Sequence, residues 1–594
     1  MVKTFCEYGE KNFKHATNFI FGLALLIILF QILHTGFSYF RQEEFLYLYK
    51  PLNLIFSAYA FLMSLFLFLT TNNMVIKVAR FIFLVITAAY LFMSFLWLTS
   101  MLNSTFDVEG YRLFLAVFVG FIAISFKIAS LGNTNLHPAL LFVLSFIFLI
   151  LFGTFMLMLP AASYKNVTFV QALFTSTSAV TVTGLAILDT GKDFTLFGQS
   201  IIVILLQLGG LGVLTVTNIF ALVFKSSSTF RNRMMVSDMI KELDNNNTFS
   251  TLFKIIFLTL LIESIGAILI YISILGEPGV TNNPAFFALF HSVSAFCNGG
   301  FSTLSNSLYE ESVRYNYFFH TLIAWLIISG GLGYSVMINH YLQFKNFFLH
   351  KLSKIRILGI EYKKELTRTS TNSRIILITT SILLIAGTAL FMISEYNGTL
   401  KDHSLFGKIM VSFFNSTTPR TAGFNNVNMA ELGLPAIMLT MALMWIGASP
   451  GSTGGGIKTT TFAVALINLW NQIRGREKII VRNKEIPVSA VNQVNAVILL
   501  SIFAISFGTF LISFMQPELL FKDILFECIS AYSTVGLSVG ITPKLLDFSH
   551  ITLIMLMFLG RVSFLTFLIG LFSMIFEDEK GCQPYYPKEN VFIN

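Results

Sequence analysis

The sequence predicts an all-α polytopic membrane protein: four N-terminal transmembrane helices, then four related units, each a span, a short re-entrant helix, a glycine loop and a second span. Three observations predict it. Hydrophobic residues make up 55% of the 594 and charged residues only 12%, with a mean hydropathy of +0.75; a soluble chain of this size needs more charge to cover its surface. The apolar residues fall in blocks of the ~20 residues that cross a bilayer as helix, not in the ~10-residue alternating segments of an outer-membrane barrel. Four shorter, half-apolar segments are each followed by a similar glycine-containing loop.

Taken in order, apolar blocks occupy 18–34, 54–71, 79–101, 111–130 and 138–160. The first is followed by His34 and an aromatic-rich stretch with no small-residue cleavage site, so it reads as a retained span rather than a signal peptide. The first four blocks form an N-terminal extension, 1–137. The units then occupy 138–242, 243–362, 363–486 and 487–594, the last including a C-terminal tail. Segments 168–180, 284–296, 403–417 and 519–533 are too short to span and read as re-entrant helices.

Lys and Arg gather at 225–241, 345–374 and 458–484, at the N-terminus (Lys3, Lys11, Lys14) and in the turn with Lys77 and Arg80. The positive-inside rule places all of these in the cytoplasm, the N-terminus included, and puts 107–109, 189–193 and 310–311 outside. Topology thereby accounts for the net charge of +9, and no nucleic-acid partner is expected. Cys6, Cys297, Cys528 and Cys582 are scattered, with neither a disulfide framework nor a metal-binding spacing.

The four loops read Thr181-Val182-Thr183-Gly184-Leu185, Cys297-Asn298-Gly299-Gly300-Phe301, Arg420-Thr421-Ala422-Gly423-Phe424 and Ser533-Thr534-Val535-Gly536-Leu537. Their common glycines lie 116, 123 and 113 residues apart (184 to 300, 300 to 423, 423 to 536). One such loop would read as an ordinary turn; four at even spacing in the same setting point to a shared role. Irregular backbone at membrane depth is tolerated where it is buried or lines water. Four such loops about one axis can present rings of carbonyl oxygens, which replace the hydration shell of a cation. Glycine permits the backbone angles that turn those carbonyls inward. The short helices enter from outside, so their negative C-terminal ends face the membrane centre.

Three further features stand out. The stretch 447–456 holds five glycines and Pro450 inside an apolar segment and cannot continue a helix. Arg561 falls inside an apolar span at 551–576, where a charge is costly unless it faces a water-filled pathway or a partner. Glu263 and Glu527 are acids in apolar helices, read as bracing residues rather than ion ligands, and Lys458 reads as a loop clamp.

On these residues the chain resembles the Trk/Ktr/HKT superfamily of potassium transporters, over about 138–576. Beyond the loops, the resemblance is carried by Gln207-Leu208-Gly209-Gly210-Leu211-Gly212, by the run from Gly447 to Thr460, and by Gly560-Arg561. The pattern is closer to the bacterial TrkH and KtrB pore subunits than to the plant branch. The resemblance implies a central pore whose potassium filter is made by Val182, Thr183, Gly184, Asn298, Gly299, Gly300, Thr421, Ala422, Gly423, Thr534, Val535 and Gly536. With glycine rather than serine at position 184, it implies preference for potassium over sodium. It implies a movable gate below, made by Ser449, Pro450, Gly451, Ser452, Thr453, Gly454, Gly455, Gly456 and Lys458, with Arg561 as an electrostatic barrier. It also implies a homodimer with one pore per protomer, a cytoplasmic ring of nucleotide-binding (RCK-type) regulatory subunits, and residence in a bacterial inner membrane.

Other function classes fit less well. His137, His291, His320 and His340 are dispersed, so no enzyme centre is expected, and no cofactor beyond potassium as substrate. The glycine runs lack the strand-and-helix setting of a phosphate site. The basic loops can meet the regulatory ring or anionic lipid. Within transport, a sodium- or proton-coupled symporter is the alternative to potential-driven potassium uptake; it would add intramembrane acids, and few are present.

Overall fold

In the computed structural model, the described residues are 43–69, 74–98, 138–212, 248–343 (bar 276–279, 282, 335 and 342) and 370–575 (bar 477, 482 and 483). Of the four expected N-terminal spans, the blocks at 18–34 and 111–130 lie outside these residues, as do the basic loop 225–241 and nearly all of 345–374.

Helices α1 (Glu43–Leu69) and α2 (Met74–Leu98) pack on each other. Polar residues lock the pair from within. Tyr90 donates to Asn53 Oδ1, the Asn53 amide donates to Ser94 Oγ at 3.2 Å, and the Ser64 and Thr87 hydroxyls lie 2.8 Å apart. In apolar surroundings such groups must find one another, because no water is available to them.

The remaining helices follow one order. First come α3 (Pro138–Leu157), α4 (Phe169–Val180) and α5 (Leu196–Leu211), then α6 (Thr248–Ile274), α7 (Pro284–Phe296) and α8 (Tyr317–Gly331). Next are α9 (Thr371–Glu395), α10 (Leu405–Thr417), α11 (Leu434–Trp445) and α12 (Thr459–Ile473). Last are α13 (Val488–Met515), α14 (Phe521–Tyr532), α15 (Asp547–Val562) and α16 (Phe564–Ile575). A two-stranded ribbon, β1 (Ile480–Val481) with β2 (Lys484–Glu485), joins α12 to α13.

Sequence chemistry sets the short helices. Thr168 accepts from the Gln171 amide while the Gln171 side chain returns to the Thr168 amide, a capping box that starts α4. Asn283 caps α7, with Pro284 at its first position, and Ser404 caps α10. Lacking a capping side chain, α14 carries Asp523 in its first turn, where the helix dipole favours an anion.

Each short helix packs against the long helix before it: α3 with α4, α6 with α7, α9 with α10, α13 with α14. The units also meet in a cycle. The helix after each loop packs on the short helix of the next unit: α5 on α7, α8 on α10, α11 on α14, and α15 back on α4. Buried aromatics of the second unit, among them Phe287, Phe290, Phe296 and Phe319, belong to a core cluster that also takes in residues of the first unit.

The outer face is apolar. Ile385 and Ile393 on α9 are 72% and 76% exposed. Helices α9 and α13, and residues 254–274 of α6, are long and apolar enough to cross a membrane, with α15 and α16 making a bent pair that passes together. Exposed apolar helix faces of that length belong in lipid.

The expected span at 551–576 is corrected. The chain turns by 88° between α15 and α16, at Ser563, whose φ is +69°. Arg561 therefore sits in the last turn of a helix, at a bend, rather than in the middle of a straight span. The left-handed backbone at Ser563 makes the break, and packing is close just above it: a Cβ at Gly560 would fall on the Tyr532 carbonyl. The same construction recurs. Gly209 and Gly330 meet the carbonyls of Val180 and Phe296, the last residues of α4 and α7, and Gly212 and Gly333, three residues on, have φ of +81° and +85°. The break below the loops is thus shared, and is longest in the third unit.

Candidate functional site

The four short helices end at Val180, Phe296, Thr417 and Tyr532, and the glycine loops begin there. Their backbones match. Val182, Asn298, Thr421 and Thr534 all have φ between +50° and +72°, in the left-handed region that non-glycine residues seldom adopt. Two residues later Gly184, Gly300, Gly423 and Gly536 have φ from +66° to +93°. Alternating hands along a strand point successive carbonyls to one side.

The glycines close a ring. A Cβ on Gly184 would lie 2.6 Å from the Gly299 carbonyl oxygen, and one on Gly300 2.6 Å from that of Ala422. Likewise Gly423 faces the Val535 carbonyl, and Gly536 faces that of Thr183. The order 184, 300, 423, 536 and back to 184 leaves no room for a side chain at any of the four. Below, the Asn298 amide lies 3.2 Å from Thr421 Oγ1, and the Thr181 and Thr183 hydroxyls lie 2.8 Å apart.

Each loop is anchored by a hydroxyl on its own short helix, or in the third unit on the residue capping that helix, that sequence reasoning did not single out. Ser178 Oγ and Ser530 Oγ accept from the amides of Gly184 and Gly536 at 3.0 and 3.1 Å. Ser294 Oγ and Thr418 Oγ1 instead donate to the carbonyls of Phe301 and Phe424, at 2.8 and 2.6 Å. The signal was present: a Ser or Thr six residues before the glycine, or five in the third unit.

Under the ring lies the excursion between α11 and α12. It leaves the helix after Trp445, and its two arms meet where Ile446 bridges Ile457 and the Gly447 amide donates to the Ile457 carbonyl. Gly454 abuts Thr421, and Gly455 abuts Thr534. The Ser449 and Thr453 amides donate to the carbonyls of Gly331 and Gly330, Thr453 Oγ1 donates to the Phe296 carbonyl, and the Tyr334 amide donates to that of Gly451. Pro450 and Ser452 belong to the tip; Ser452 Oγ donates to the Ser449 carbonyl at 2.6 Å, and Gly456 has φ +66°. Lys458 Nζ donates to the Gly454 and Gly455 carbonyls at 2.7 and 3.4 Å. Arg561 donates to the carbonyl of Thr453 and, at 2.5 Å, to that of Gly209.

The two acids lie behind the ring. Glu263 accepts from the Gln207 amide at 3.1 Å, with Cys297 Sγ 3.8 Å away. Glu527 accepts from Ser538 Oγ, the Val539 amide and Thr542 Oγ1.

Lipid-facing helices gathered about a closed ring of loops define the class: a multi-pass membrane transport protein. The chain belongs to the TrkH family of cation transport proteins, whose family model matches residues 137–581. It is 33% identical over 460 residues to the Ktr system potassium uptake protein B of Bacillus subtilis (strain 168), covering 77% of this chain and 96% of that one. It is 32% identical to the potassium/sodium uptake protein NtpJ of Enterococcus hirae, over 77% and 98%. Its fold matches the crystal structure of the potassium transporter TrkH from Vibrio parahaemolyticus at a TM-score of 0.57, covering 82% of this chain and 96% of that one; at 17% identity the likeness is one of fold. The resemblance read from the glycine loops is thereby upheld at the level of the family.

Proposed function

We propose that this protein takes up potassium across a bacterial cytoplasmic membrane, through a filter of backbone carbonyls at the centre of four pseudo-repeated units. The closed ring of four glycines carries the reading. The carbonyls of Val182, Thr183, Asn298, Gly299, Thr421, Ala422, Thr534 and Val535, with those of the glycines, stand in for the hydration shell of the ion. The membrane potential drives entry, at about 2.3 kcal/mol per charge for each 100 mV, enough for a roughly fiftyfold concentration ratio. The Bacillus subtilis relative named for potassium uptake supports the choice of ion.

In this reading the 447–458 excursion is the gate, and Arg561 holds it shut from below. The N-terminus and the basic loops face the cytoplasm. Those loops dock a ring of nucleotide-binding regulatory subunits, and two copies of the chain pair as a homodimer. The first 137 residues form a lipid-facing four-helix extension.

One observation favours a second reading, symport with sodium or a proton: the buried carboxyl of Glu263 beside the ring. Rubidium and potassium uptake into proteoliposomes decides between the two. With an imposed potential, uptake independent of sodium and proton gradients is expected. Uptake that requires either gradient establishes the symporter, and no uptake with potassium or rubidium under any condition overturns the filter.

A further inference from the structure

The short helices carry a second set of anchors, distinct from the hydroxyls that hold the glycine loops. His291 on α7 contacts Ser302 Oγ through Nε2 at 2.9 Å. Asn415 on α10 donates to Asn426 Oδ1 at 2.8 Å. Glu527 on α14 accepts from Ser538 Oγ at 2.5 Å. In every case the partners are eleven residues apart, and the first lies three residues before the loop-anchoring Ser294, Thr418 or Ser530. Residues three apart share a helix face, so each of these helices presents two anchors on one side: one to the loop, one to the segment leaving it.

The contacts are built rather than incidental. His291, Asn415 and Glu527 are at most 2% exposed. His291 Nδ1 lies 2.9 Å from the Phe287 carbonyl, which can only accept, so Nδ1 carries the proton and Nε2 accepts from Ser302. Ser302 and Ser538 each accept in turn from the amide two residues on, in Leu304 and Gly540. Glu527 gathers two further donors, from Val539 and Thr542. Three different side-chain chemistries thus fill one position and do one job.

The first unit lacks the pair. Thr175 occupies the helix position but turns its hydroxyl back to the Gln171 carbonyl at 2.9 Å, and eleven residues on stands Ala186. We propose that His291, Asn415 and Glu527 are positioning residues that fix the outward limb of their loops, so that the ring keeps its width around a bare ion, and that the first loop, without such a pair, relies on the Ser178 hydroxyl. This rests on the filter reading above.

The test measures the potassium-to-sodium permeability ratio in proteoliposomes, with rubidium uptake and thermal stability measured alongside. Ser302→Ala, Asn426→Ala and Ser538→Ala are each expected to lower the ratio about fivefold, the factor carried by one typical hydrogen bond. Ser302→Thr and Ser538→Thr, which keep the hydroxyl, should hold it near the wild-type value, as should Thr175→Val in the unpaired unit. If the alanine variants keep the wild-type ratio and lose only thermal stability, or if Thr175→Val lowers it equally, the proposal is overturned. Should an alanine variant fail to insert, His291→Leu against His291→Gln asks the same question of the partner: the ratio is expected to fall in the first and hold in the second, and equal ratios overturn the proposal. Gly536→Ser measured beside them separates the two readings. A fall there with none in the paired variants sinks the anchors alone, and no fall in either sinks the filter as well.

Discussion

The Arg561 guanidinium donates to the carbonyl oxygen of Thr453, 108 residues away in the chain. Its second nitrogen donates to the Gly209 carbonyl near the C-terminal end of α5. One side chain of the fourth unit thus ties the loop of the third to a helix end of the first. Both acceptors are carbonyls, and an arginine fork suits two at once. The last carbonyls of a helix have no partner within it, so a cation there completes α5 as well.

Arg561→Ala is therefore expected to free the excursion below the ring. Hydrogen bonds from a charged group contribute about 1.5–3 kcal/mol each, so losing one shifts a closed-to-open balance by roughly tenfold or more. Rubidium uptake at matched protein levels should rise accordingly, with Arg561→Lys in between because one ammonium cannot span both carbonyls. Equal or slower uptake in the alanine variant removes Arg561 from the gate.

Gly184→Ser tests the ring itself. The residue has φ +93°, and its Cβ would stand 2.6 Å from the Gly299 carbonyl oxygen, so a side chain displaces the backbone that faces the ion. The potassium-to-sodium ratio is expected to fall at least severalfold. Gly475 also has a positive φ, but nothing lies within 4 Å of its Cβ; Gly475→Asn should leave the ratio unchanged. If both variants retain the wild-type ratio, the loops do not select the ion.

Much of this was legible in the residues because two kinds of signal survive without an alignment. Span length reports the bilayer, and a motif repeated four times reports a common backbone. The short helices fell within two residues of the ends expected from their apolar runs, three of them opening on the capping residues Thr168, Asn283 and Ser404. What stayed hidden depends on contacts between distant parts of the chain. Ser178 and Ser530 are the exception: they lie only six residues before the glycines whose amides they hold, and that spacing was a signal in the sequence. The bend at Ser563 falls on a serine where Gly212 and Gly333 mark the corresponding breaks, so its left-handed backbone is not announced at the position itself. Arg561 consequently reads as mid-span in sequence and lies at a helix end in the fold.

Deleting residues 451–455 removes more than bulk. Thr453 anchors the excursion to the second unit through its amide and hydroxyl, and Gly454 and Gly455 fill the space beside Thr421 and Thr534. Without them, the pathway under the ring is expected to stay open, giving faster rubidium flux with an unchanged potassium-to-sodium ratio, since Gly184, Gly300, Gly423 and Gly536 are untouched. Transport at the wild-type rate in the deletion would falsify the gate.

Glu263→Gln separates a bracing carboxyl from a coupling one. The Glu263 side chain accepts from Gln207 and lies near Cys297 at the start of the second loop, while its backbone carbonyl accepts from Ser292 at 2.6 Å. A glutamine keeps the acceptor that Gln207 needs and adds donors that can reach the amide oxygen of Gln207 or the Cys297 sulfur. As a brace, it should hold uptake within about twofold of wild type, whereas Glu263→Ala removes the acceptor of the half-buried Gln207 amide and should lower uptake further. As a proton or sodium site, the carboxyl is indispensable, because a neutral amide can neither release a proton nor balance a sodium charge in a low-dielectric setting. Potential-driven rubidium uptake measured in the glutamine variant, with and without sodium and proton gradients, therefore reads the mechanism directly. Retained uptake with no gradient dependence supports a channel-like route through the ring; loss of a gradient dependence present in the wild type assigns the coupling ion to Glu263.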